Sequence, residues 1–118
     1  MITMSRTYTF EAAHRLPHVR RGHKCGRMHG HSYVIEVEVA GRIDIKRGWI
    51  MDFAELDAVV KPLIEQLDHT VLNDVLKNPT SENIAARLHT AIRAGIEQPI
   101  VLAVSVSETA RSRVTYRR

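Results

Sequence analysis

Residues 29–39, HGHSYVIEVEV, alternate strictly. His31, Tyr33, Ile35, Val37 and Val39 fall on one face, and Ser32, Val34, Glu36 and Glu38 on the other. A period of two describes a half-buried strand, since successive side chains of extended backbone point to opposite sides. Residues 7–14, TYTFEAAH, repeat the pattern: Tyr8, Phe10, Ala12 and His14 share a face against Thr7, Thr9 and Glu11. Between the two runs lies a long loop, RLPHVRRGHKCGRM, broken by Pro17, Gly22 and Gly26. A loop of that length in a compact domain is usually functional or disordered.

The pattern then changes to a helical one. After a turn from Gly41 to Gly48, Asp52 can cap a helix carrying Phe53, Leu56, Val60, Leu63 and Leu67. Pro62 falls inside that stripe and is expected to kink the helix or split it. Following the break LNDVLKNPT, Thr80 or Ser81 caps a second helix with Ile84, Leu88 and Ile92 on its buried side, running toward Ile96. Beyond Pro99, Leu102, Val104, Val106 and Glu108 share a strand face, and RVTYR makes a short last strand. The order is strand, strand, helix, helix, strand, strand. Consecutive strands imply antiparallel pairing, so the expected fold is α+β, a four-stranded antiparallel sheet with two helices on one face.

Length and charge narrow the class. At 118 residues the chain is expected to form one domain over residues 1–118. No apolar run approaches the roughly 18 residues of a membrane span. MITMSRTYTF has no apolar export core, and a lone cysteine cannot form an internal disulfide, so a reducing cytoplasm is expected. A net charge of +4 raises nucleic acid as a partner, but aromatics are only 5% and no nucleic-acid motif is present. Arg111, Arg113, Arg117 and Arg118 read as solvated surface. Arg15, Arg20, Arg21, Lys24 and Arg27 cluster beside Cys25, where an anionic small molecule is the alternative.

The chemistry concentrates in CGRMHGHSY. His29 and His31 project together from the start of their strand, and His14 ends the other on its apolar face. If these strands pair through the loop, three imidazoles converge. Three histidines with one open position is a common catalytic zinc arrangement, whereas a lone histidine on such a face is usually a packed core residue. Cys25 decides the use of the metal. As a fourth ligand it closes a structural site, and the protein is then a non-catalytic zinc-stabilised binding module. Free, and beside Lys24 and Arg27, it is an activated thiol suited to act as a base. The glycine-containing loop and the lack of a second cysteine favour chemistry over an inert buried thiol. Asp68 adjoins His69 past the first helix, where a carboxylate can orient an imidazole. Glu108 is a carboxylate on an otherwise apolar face, which demands a partner or a ligand with hydrogen-bond donors. His18, His23 and His89 read as ordinary surface or core residues.

Taken in order, FEAAHRL, CGRMHGHSY, GWIMDF, LDHTVLND, NPTSENIA and SVSET span nearly the whole chain. Together they resemble the 6-pyruvoyl-tetrahydropterin synthase / 6-carboxytetrahydropterin synthase family. The resemblance implies the tunnelling fold, with subunits joining their sheets into barrels, commonly as hexamers of two stacked trimers. It implies zinc on His14, His29 and His31 and Cys25 as the proton-abstracting base. His69 and Asp68 would form a relay, often supplied by an adjacent subunit, and Glu108 would anchor the pterin. Three residues between the cysteine and His-Gly-His, together with the short chain, mark the carboxy branch of queuosine biosynthesis. The implied reaction converts 7,8-dihydroneopterin triphosphate to 6-carboxy-5,6,7,8-tetrahydropterin, releasing acetaldehyde and triphosphate. The pyruvoyl product is the nearest alternative.

Overall fold

A long hairpin dominates the computed structural model, which describes residues 1–118. Strand β1, Ile2–His14, and strand β2, His29–Gly41, pair antiparallel along their whole length, from Ile2 opposite Gly41 to His14 opposite His29. The alternating residues behave as read: Tyr8, Phe10, Ala12 and His14 are buried, as are Tyr33, Ile35, Val37 and Val39. β1 begins five residues earlier than the alternation suggests. Residues 2–6 are mostly exposed and are held by the ladder to β2 rather than by burial.

Helix α1, Phe53–Leu67, starts at Asp52, whose side chain accepts the Ala54 N–H at 2.9 Å. It is one continuous helix despite Pro62. The proline removes one intrahelical hydrogen bond, but Pro62 and Ala58, the residue whose carbonyl is freed, are both exposed, so water can serve that oxygen. Leu56 and Val60 before the proline and Ile64 and Leu67 after it keep one buried stripe. Phe53 departs from that stripe. It is exposed at the first turn, with the Arg6 guanidinium 5.2 Å from its ring centroid. Tyr8 donates to Asp57 on α1 at 2.6 Å, and Arg6 Nε lies 3.1 Å from the same carboxylate. These contacts pin α1 over β1.

Strand β3, Thr70–Val71, follows α1, and helix α2, Ser81–Ala94, comes next. The α2 cap is Thr80, accepting the Asn83 N–H at 3.1 Å, which leaves the Ser81 hydroxyl free for other use. Strands β4, Val101–Ser107, and β5, Val114–Arg117, complete a sheet of order β3-β1-β2-β4-β5. The four antiparallel strands expected from the sequence are all there. The two-residue β3 adds a parallel edge beside β1, pairing Ala12 with Thr70 and Ala13 with Val71.

Both helices cover one face, and their leucines and isoleucines join the inward residues of β1, β2 and β4 in a single core. The other face of the sheet is polar. Arg113 and Arg117, expected as plain solvated surface, are paired across strands with Glu36 at 3.1 Å and Glu38 at 3.7 Å. No helix is long and apolar enough to cross a membrane.

Candidate metal centre

The register of the hairpin decides the site. Because His14 pairs with His29 and Ala12 with His31, three imidazoles from two strands meet at one end of the sheet, on its covered side. Their ring centroids form a triangle with sides of 4.6, 4.8 and 5.1 Å, and one nitrogen from each lies within 4.8 Å of the others. The group could hold a metal ion.

Their hydrogen bonds set the tautomers needed for that. His14 Nδ1 is 2.8 Å from the Pro79 carbonyl, and His29 Nδ1 is 2.7 Å from the Arg27 carbonyl. A carbonyl oxygen only accepts, so each Nδ1 carries the proton and each Nε2 keeps a free lone pair. The Nε2 atoms of His14 and His31 are buried without any hydrogen-bond partner. Unpaired buried nitrogens are costly in a neutral core, and a cation removes that cost. Burial lowers the pKa of His31, with His14 and His29 adding to the effect and Glu108 opposing it. The imidazole is therefore held in its neutral, ligating form.

Glu108 follows the end of β4 and reaches this cluster. Its Oε2 is 3.7 Å from His31 Nε2 and its Oε1 is 3.9 Å from His14 Nε2. The carboxylate among apolar strand neighbours thus has partners, and the Ser81 hydroxyl donates to Oε1 at 2.7 Å. Tyr33 continues the histidine face. Its ring stacks on Phe10 at 4.8 Å and lies 5.5 Å from the His31 ring. Its fully buried hydroxyl has no partner, and burial, then the Glu108 charge, raise its pKa.

Cys25 lies outside the imidazole group. It occupies a short turn, Lys24–Gly26, where its N–H donates to His23 Nδ1 at 3.0 Å and its carbonyl accepts the Leu16 N–H at 2.8 Å. The thiol is half-buried and free. Asp68 and His69 are also separate from the three rings. Asp68 ends α1 and accepts the Glu11 N–H on Oδ1 at 2.8 Å, while its Oδ2 lies 3.7 Å from His69 Nε2. His69 has a left-handed backbone (φ 57°) and a side chain 81% exposed. A groove of about 410 Å³ carries Glu11, His31, Ser32 and His69 on its walls. The largest cavity, about 800 Å³, lies at the far end of β2 against Gly41, Ile50 and Ile100, away from the histidines. Buried polar atoms without partners converge instead at the histidines: the Nε2 atoms of His14 and His31 and the Tyr33 hydroxyl.

Three supporting contacts are not legible in the side-chain pattern. Pro79 and Arg27 act through backbone carbonyls, which no side-chain pattern reports. Ser81 showed only as a cap candidate.

An α+β sheet covered on one face, with three imidazoles that could hold a metal ion at the end of its long hairpin, defines a protein of the tunnelling fold. The chain matches the family described as 6-pyruvoyl tetrahydropterin synthase over residues 3–118. It is 43% identical over 117 residues to the 6-carboxy-5,6,7,8-tetrahydropterin synthase of Synechocystis sp., covering 92% of this chain and 88% of that one. It is 37% identical over 94 residues to the dihydroneopterin monophosphate aldolase of Pyrococcus furiosus, covering 80% and 77%. The solved structure of the Caenorhabditis elegans 6-pyruvoyl tetrahydropterin synthase superposes with a TM-score of 0.86 at 26% identity, covering 99% and 95%. The chain belongs to the 6-pyruvoyl tetrahydropterin synthase family and is a pterin synthase of lyase type.

Proposed function

We propose that residues 1–118 act as a single synthase domain. The domain converts 7,8-dihydroneopterin triphosphate and one water to 6-carboxy-5,6,7,8-tetrahydropterin, releasing acetaldehyde and triphosphate in queuosine biosynthesis. The observation that carries this reading is the convergence of three imidazoles, with the Nδ1 protons of His14 and His29 tied back to carbonyls and the buried Nε2 atoms of His14 and His31 unpartnered. Such a donor set suits zinc, held by His14, His29 and His31 with a position left for substrate. When bound, zinc supplies Lewis acidity toward substrate hydroxyl oxygens, acidifying neighbouring C–H and O–H groups.

The chain's own residues supply the rest. Glu108 accepts hydrogen bonds from the donors of the pterin ring and so fixes the side chain against the trio. Cys25, clamped through both its N–H and its carbonyl, takes a proton as the thiolate. His69, oriented by Asp68, carries a second proton. Arg20, Arg21, Lys24 and Arg27 share the Cys25 loop, where their charge can hold triphosphate.

Cys25 lies outside the imidazole group, and the His69 side chain is 81% exposed although it shares a groove with His31, which supports completion of the site between subunits of a cytoplasmic hexamer, two trimers stacked. The extended shape agrees with this: a radius of gyration of 15.5 Å and extents of 57 × 23 × 22 Å exceed the ~13–14 Å expected for a lone compact domain of this size. The polar, uncovered sheet face is suited to line a barrel.

Incubating zinc-loaded protein with dihydroneopterin triphosphate and identifying the pterin by mass tests the proposal. The carboxy product supports it, and a pyruvoyl product moves the chain to the other branch. Turnover confined to the monophosphate aligns it with the aldolase relative. No turnover on any of them leaves a non-catalytic zinc-stabilised module.

A further inference from the structure

Glu108 has two competing uses. Its oxygens stand 3.7 and 3.9 Å from the Nε2 atoms of His31 and His14, and carboxylates are ordinary zinc ligands. A carboxylate free to swing from that distance can join the three imidazoles. It would then close the site and be lost as an anchor for an organic ligand. The structure restrains it through one group: the Ser81 hydroxyl, donating to Oε1 at 2.7 Å.

Ser81 is placed to do this by its neighbours. It is the first residue of α2, and the capping task is taken by Thr80, whose Oγ1 accepts the Asn83 N–H. The same turn is braced by Asn83 Nδ2, which donates to the Asn78 carbonyl at 2.9 Å. One residue before the cap, the Pro79 carbonyl receives the His14 Nδ1 proton. A single backbone turn therefore fixes a metal-ligating ring and the carboxylate beside it in one frame.

We propose that Ser81 is a positioning residue that holds Glu108 turned toward the pterin and off the imidazole trio, so that a position on the metal stays open. This rests on the reading of Glu108 as the pterin anchor. Neither the hydroxyl nor the metal exchanges a proton in this role; Ser81 sets only where the carboxylate points.

The test compares wild type, Ser81→Ala, Ser81→Thr and Glu108→Gln as zinc-loaded full chains. Neopterin affinity is read by the ligand's own fluorescence, and zinc affinity by competition with a chelator. Thermal melts monitor folding, and Ser81→Thr, which keeps the hydroxyl, preserves the comparison if alanine proves unstable. Ser81→Ala is expected to weaken neopterin binding roughly tenfold, the worth of one charge-assisted hydrogen bond. The same variant is expected to hold zinc more tightly, and Ser81→Thr to restore both. Unchanged neopterin affinity in Ser81→Ala, with Glu108→Gln weakened, overturns the inference alone. So does weakened neopterin binding with unaltered zinc affinity, because Ser81 would then act on the ligand and not on the carboxylate's choice. Unchanged neopterin affinity in Glu108→Gln sinks the anchor reading itself.

Discussion

Replacing Tyr33 by phenylalanine should make the protein more stable. The ring is fully buried and stacked on Phe10 at 4.8 Å and 12° between planes, and phenylalanine keeps all of that. What it removes is a hydroxyl with no hydrogen-bond partner. An unpaired buried hydroxyl costs about 1–3 kcal/mol against its hydrated unfolded state. The oxygen leaves a void on the order of 10 Å³, which at ~24 cal/mol per Å³ returns only about 0.2 kcal/mol. The net expectation is a gain of about 1 kcal/mol, or roughly 4 °C in Tm for a chain of this size. Urea unfolding followed by circular dichroism gives the value. It should be run on metal-free and zinc-loaded protein at one fixed concentration, because metal binding and assembly both add to apparent stability. The midpoint should rise with an unchanged slope. A loss of 1 kcal/mol or more would refute the reasoning, since it would mean the hydroxyl is satisfied in the assembled protein.

Asp57 gives a test in pH. The Tyr8 hydroxyl first, then Arg6 and Lys61, hold its carboxyl below the ordinary range against the opposing effect of partial burial. A depressed folded pKa stabilises fully above about pH 4 and is lost as pH falls through it. Asp57→Asn should therefore lower stability at neutral pH and flatten the acid limb; an unchanged acid limb contradicts the assignment. His29→Ala should abolish stoichiometric zinc, whereas Cys25→Ala should retain it and lose at least about 10²-fold in turnover, the usual worth of a proton-transfer group. Cobalt substitution checks the same point, because a thiolate-to-cobalt charge-transfer band would place the sulfur on the metal. Gly95→Ala should destabilise by about 1–2 kcal/mol, since a Cβ there meets Val59 Cγ1 at 2.7 Å. Ordinary glycine-to-alanine changes at right-handed backbone stabilise, so a gain in Tm would show that Val59 yields.

The alternation in residues 7–14 and 29–39 was enough to place both long strands and to put His14, His29 and His31 on one face. A period of two is local, and burial of that face enforces it. Cap chemistry likewise reads from a few neighbours, so Asp52 starts α1 as expected. Other features needed the third dimension. Pro62 does not break α1, because the buried stripe resumes beyond it and both Pro62 and Ala58 lie on the exposed side; no local rule weighs packing on both sides of a proline. Residues 2–6 and Thr70–Val71 are strands through pairing to a partner far away in sequence: the alternation of Ile2 and Met4 is cut short by Arg6, and β3 is two residues long. The sequence alone determined which side chains could ligate a metal, because residue type and face are written in it. The tertiary structure decided how they are tuned. The Arg27 carbonyl fixes the His29 tautomer from two residues away, but the Pro79 carbonyl reaches His14 and the Ser81 hydroxyl bonds Glu108 only once α2 is packed against the end of the hairpin.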